Sequence, residues 1–101
     1  MARDEVLSDD EVTARLGEHP EWSLVDGKLH RELAFPGFGE AFACMTRIAL
    51  AAEKLDHHPD WSNSWNEVVV DIVNHGAGGL TERCFSLAAA VDRAAAGATR
   101  P

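Results

Sequence analysis

The chain has 101 residues, of which 46% are hydrophobic and 26% charged, and a formal net charge of -8. That balance fits one globular domain with one modest core and excludes a disordered chain. The acidic surplus, with only nine scattered Lys and Arg, argues against nucleic-acid phosphate or an anionic membrane as partner. No apolar run approaches the length of a membrane span.

In chain order, the opening MARDEVLSDDE is charged and reads as no signal peptide. Ser8-Asp9-Asp10-Glu11 has the form of a capping box and predicts a helix to about Leu16, ended by Gly17 and Pro20. In WSLVDGKLHRELAF, Asp26-Gly27 is a two-residue hairpin signal between strands over Trp22 to Val25 and Lys28 to Phe35. Pro36-Gly37 then breaks the chain. From Phe38 to about Asp56 two apolar stripes share one helix: Phe38, Phe42, Met45, Ala49 and Ala52, and Ala41, Cys44, Ile48, Ala51 and Leu55. A helix apolar on two faces is either deeply buried or packed against a second subunit, and in so small a domain the second is favoured.

Pro59 ends this helix near His57. The run NEVVVDIVN, 66–74, predicts a strand with both faces covered. A glycine loop follows, Gly76, Gly78 and Gly79. Thr81 is then placed as the cap of a last helix to about Ala95, with Leu80, Leu87, Ala88, Val91 and Ala95 inward. The order helix, hairpin, helix, strand, helix predicts an α+β fold, an antiparallel sheet with helices on one face. The two cysteines, Cys44 and Cys84, lie in apolar runs without zinc spacing and point to a reducing, cytoplasmic setting. The Ala/Gly-rich tail is expected to fray.

The chemistry concentrates in EKLDHHPDW, starting at Glu53. As structure alone, this is a polar helix end with histidines favoured by the dipole. As chemistry, Glu53 and His57 are one helical turn apart, so the carboxylate is expected to raise the histidine or fix its tautomer. His58 diverges by about 100° from its neighbour on a helix, and Pro59 turns the chain. His75 ends the valine strand at the glycine loop, where catalytic groups are commonly displayed. Of the three tryptophans, Trp61 is placed to stack near the histidines, and Trp22 reaches them only if the hairpin packs there. His19 and His30 are taken as structural. A metal is not expected, because adjacent histidines rarely share one ion and no H-x-H or H-x-x-x-H spacing occurs. The loop HGAGGL lacks the Gly-Lys-Ser/Thr of a phosphate loop.

Together these residues resemble the pterin-4a-carbinolamine dehydratase family. The shared pattern is an acid, three residues, His-His-Pro, an aromatic and a third histidine: Glu53, His57-His58-Pro59, Trp61 and Trp65, then His75. FGEAFACMTRIALAAEKLDHHPDW and GLTER agree as well, so the likeness runs from about Trp22 to Asp92. Two departures stand out: Cys84 replaces a frequent acidic residue, and Val73 and Asn74 replace small hydroxyl types.

The resemblance implies one domain over 1–101, frayed at 1–7 and 97–101, with a four-stranded antiparallel sheet and three helices packed on one face. It implies a homodimer or homotetramer. It implies dehydration of 4a-hydroxytetrahydropterin to quinonoid dihydropterin, recycling tetrahydrobiopterin after an aromatic amino acid hydroxylase, the implied partner, has used it. The pterin is the substrate, and no cofactor is implied. His57, His58 and His75 are the implied catalytic residues, with His57 and His75 taken as the proton-transfer pair and His58 as positioning. Glu53, Asp56, Pro59, Trp61 and Trp22 are the implied substrate contacts. The competing reading is a non-catalytic binding, assembly or dimerisation-cofactor module on the same fold, using the apolar outer face of helix 38–55.

Overall fold

The structure, a computed structural model, describes residues 4–101. The elements are α1 (Asp9–Gly17), β1 (Ser23–Val25), β2 (Lys28–Ala34), α2 (Phe38–Leu55), β3 (Asp60–Ser64), β4 (Glu67–Ile72) and α3 (Glu82–Ala94). All pairings are antiparallel and the sheet order is β1-β2-β4-β3. The expected α+β architecture is the observed one.

Local chemistry explains most boundaries. Ser8 and Glu11 form the reciprocal capping box, with Ser8 N–H donating to Glu11 Oε1 at 2.8 Å and Glu11 N–H to Ser8 Oγ at 3.2 Å. Asp26 and Gly27 have φ of 52° and 78°, as a type I′ turn requires, and Val25 pairs with Lys28 across it. The valine strand is central, between β2 and β3, which explains its apolar character. β3 was not legible from its residues: DWSNS is polar because it forms the sheet edge.

One sheet face is buried. Leu29 and Leu33 of β2 and Val68, Val70 and Ile72 of β4 pack with Ala41, Cys44, Ile48 and Ala52 of α2, and with Cys84, Leu87, Ala88 and Val91 of α3. Each fully buried Leu, Ile or Val contributes about 1.5–3 kcal/mol. In α2 the stripe through Ala41, Cys44 and Ile48 is buried, whereas Phe38 and Phe42 are 50% and 55% exposed, their rings 5.8 Å apart. The other sheet face is polar: His30 bridges Asp71 and Glu32, and Lys28 pairs with Asp60.

The ends differ from the expected fraying. Residues 1–3 lie outside the described residues. Leu7 is buried and donates its N–H to Leu80 O at 2.8 Å. Ala34 and Thr99 pair through two backbone hydrogen bonds, and Ala98 packs on the core. Apolar anchors hold both segments where composition alone suggested looseness.

Candidate active site

Helix α2 ends in a backbone device that sets the site. Asp56 is left-handed, φ 52°, with its N–H on Glu53 O, and His57 N–H returns to Ala52 O at 3.0 Å. This is a Schellman-type exit with aspartate where glycine is usual. It turns two adjacent histidines in opposite directions: His57 goes inward, 8% exposed, and the His58 side chain stays 57% exposed. Pro59 is half-buried, and β3 begins directly after it.

Glu53 does not serve His57, as the four-residue spacing suggested. The left-handed turn brings His58 instead to Glu53 Oε1, 2.6 Å from Nε2. His75, beyond the end of β4, places Nε2 at 2.8 Å from Asp60 Oδ2. Lys28 Nζ donates to the same oxygen at 3.2 Å. Burial pushes the Asp60 carboxyl up, but the hydrogen bonds from His75 and Lys28 outweigh it and hold it below the usual range. A carboxylate only accepts, so each of these exposed rings donates Nε2–H and leaves Nδ1 for proton exchange.

His57 is different in kind. Its Nε2 lies 3.4 Å from the thiol of Cys84, which is wholly buried. Burial depresses its pKa. Charge on His58 and His75 depresses it further, and Asp4 and a hydrogen bond at the Val73 backbone oppose. Burial also raises the Cys84 thiol. His57, expected as one of the proton-transfer pair, is the buried member of the three, set behind two exposed histidines.

The remaining candidates divide. Asp56 is exposed, and its carbonyl accepts from Arg83 Nη1 at 2.8 Å, tying the α2 exit to α3. Trp61 packs half-buried on the core, opposite Val70, on the helix-covered face of the sheet. Trp22 is buried at 6% exposure, and its indole N–H donates to Asp92 at 2.8 Å, so it serves the core. Thr81 holds the N-cap position of α3 without capping it; its hydroxyl lies 3.7 Å from the Cys84 sulfur. Asn74 shapes the glycine loop, its Oδ1 accepting from Ala77 N–H at 3.0 Å.

Sequence reasoning did not single out Asp60 or Arg83, placed Thr81 only as a helix cap, and weighed Cys84 as a thiol in an apolar run and a departure. A carboxylate one residue after His-His-Pro was the available signal for Asp60. Among the described residues, no three His, Cys, Asp or Glu side chains are grouped so as to hold a metal ion. Cavities of about 510 Å³ beside Lys54, Leu55 and Arg93 and about 420 Å³ beside His30 and Arg100 are not lined by His57, His58 or His75, so chemistry rather than volume marks the site.

The α+β fold sets two carboxylate-backed histidines over a third, buried one, an arrangement of side chains able to exchange protons with a small molecule. Comparison makes the assignment specific: the family model for pterin 4 alpha carbinolamine dehydratase matches residues 5–94, and the chain belongs to that family. It is an enzyme of the dehydratase, or hydro-lyase, class. Relatives bearing the pterin-4-alpha-carbinolamine dehydratase name include one from Mesorhizobium japonicum, 54% identical across 83% of this chain and 88% of its own. Another, from Solibacter usitatus, is 47% identical across 90% of this chain and 96% of its own. The crystal structure of a transcriptional coactivator/pterin dehydratase from Brucella melitensis superposes with a TM-score of 0.86 at 36% identity, covering 90% of this chain and 99% of that one.

Proposed function

We propose that this protein dehydrates 4a-hydroxytetrahydropterin to quinonoid dihydropterin and water. The observation that carries this reading is the pair of exposed imidazoles, His58 on Glu53 and His75 on Asp60. In the reaction the C4a–O bond breaks and the hydroxyl leaves with a proton from an acid. The N5 proton passes to a base, so one protonated and one neutral imidazole balance the step. Positioned groups of this kind are worth about 10²–10⁴ in rate. Glu53 and Asp60 fix each ring's orientation and tautomer, and Asp56 and Pro59 border the same turn.

The chain functions as a homo-oligomer through the apolar outer face of α2 around Phe38 and Phe42, 50% and 55% exposed. Its two free thiols suit the reducing cytoplasm. An aromatic amino acid hydroxylase, which leaves the 4a-hydroxypterin, is the partner that supplies substrate. The test is the ultraviolet decay of freshly generated 4a-hydroxytetrahydropterin. Acceleration over the spontaneous rate supports the reading. A folded protein that gives none overturns it and favours a binding module.

A further inference from the structure

We propose that Cys84 is a positioning residue for His57: its thiol donates to Nε2 and fixes the buried ring as the Nδ1–H tautomer behind the two exposed histidines. The contact is 3.4 Å between a residue 8% exposed and one wholly buried. It belongs to a buried chain. Thr81, also wholly buried, places its hydroxyl 3.7 Å from the same sulfur and makes no capping bond to α3. Read in one direction, the hydroxyl and the thiol each find an acceptor. The Thr81 hydroxyl donates to the sulfur, the thiol donates to Nε2, and the ring proton is left on Nδ1. The opposite direction leaves the ring to donate Nε2–H into a weak sulfur acceptor.

A thiolate–imidazolium pair, the arrangement of a cysteine nucleophile, does not fit. Burial favours the neutral form of both partners. The charged groups around the ring are His58 from the α2 exit, His75 from the end of β4 and Asp4 from the N-terminal segment. From α3, Arg83 directs its guanidinium to the Asp56 carbonyl and to Asp4. An exposed carboxylate, Asp4, is the one attraction among these charges that favours a charged His57. Burial and its neighbours favour the uncharged ring. The thiol contact fixes how that ring is oriented behind His58 and His75.

For turnover, this inference rests on the dehydratase reading; for the tautomer, it does not. The experiment is long-range ¹H–¹⁵N correlation of the histidine rings in the folded chain, for wild type, Cys84→Ser, Cys84→Ala and Cys84→Asp, with a pH–rate profile of each. His57 is expected as the Nδ1–H tautomer in wild type and in the serine variant, whose hydroxyl also donates. Alanine weakens the preference. Aspartate keeps His57 charged to a pH about one unit or more above the wild-type midpoint and displaces the acid limb of the rate profile. An Nε2–H tautomer in wild type, or a His57 indifferent to alanine, overturns the proposal. If aspartate prevents folding, the serine–alanine comparison decides alone. Expected tautomers in a protein without dehydratase activity would reject the enzyme reading and keep this one. Activity with an indifferent His57 would do the reverse.

Discussion

Glu53 reaches the second histidine of its motif, not the first: Oε1 lies 2.6 Å from Nε2 of His58. The left-handed Asp56 adds the extra turn that makes a five-residue spacing meet. Both side chains are exposed, 78% and 57%, so the pair adds at most about 0–1 kcal/mol to stability. Glu53→Gln is expected to leave the melting temperature within error and to lower kcat about tenfold. His58→Ala should lower it about 10²-fold, in the range of a lost acid–base group. Paired melting curves and steady-state rates check both.

Asp60 holds His75 and Lys28 on one oxygen, 2.8 and 3.2 Å away. Asp60→Asn keeps the shape but turns an obligate acceptor into a group that can also donate. It should lower kcat about as far as His75→Ala, and the double variant should be little worse than either. A double-mutant cycle on kcat measures this; independent, additive losses would separate Asp60 from His75.

Two histidines give stability opposite pH dependences. Hydrogen bonds to Glu32 and then Asp71 raise His30 above its ordinary 6.5. Its stabilisation is complete below 6.5 and is lost as pH rises through the folded value. His57 is depressed below 6.5, chiefly by burial. The folded state then loses stability as pH falls below 6.5, and the loss levels off beneath the folded value. His30→Gln should therefore lower the urea midpoint more at about pH 5.5 than at about pH 9. An equal loss at both would remove the assignment.

Phe38 and Phe42 present a tilted ring pair on the outer face of α2. Phe42→Glu places charge on that face without touching the core, because the buried stripe is Ala41, Cys44 and Ile48. Light scattering should show a shift toward monomer with an unchanged circular-dichroism spectrum. A monomeric wild type would contradict self-association through this face.

The fold was legible where local chemistry is strong. The capping box at Ser8, the Asp26-Gly27 turn and the apolar run from Val68 to Ile72 all act over a few residues. β3 was not legible, because DWSNS owes its strand to pairing with β4 and not to its own composition. In the site, sequence reasoning drew Glu53, His57, His58 and His75 together but set Glu53 against His57, whereas it meets His58. Helical spacing assumes a helix, and Asp56 ends it one residue before the pair that mattered. Trp22 was expected to reach the histidines only if the hairpin packed there, whereas Asp92, distant in sequence, takes its N–H. The Cys84–His57 contact joins residues 27 apart and left no mark on any local pattern.

The most direct measurement is the decay of 4a-hydroxytetrahydropterin, generated in place by a phenylalanine hydroxylase, with wild type, His58→Ala and His75→Ala at equal concentration. The structure predicts acceleration by wild type and a loss of about 10²-fold or more in each variant. Wild-type decay no faster than the spontaneous reaction, or variants as fast as wild type, would contradict the account.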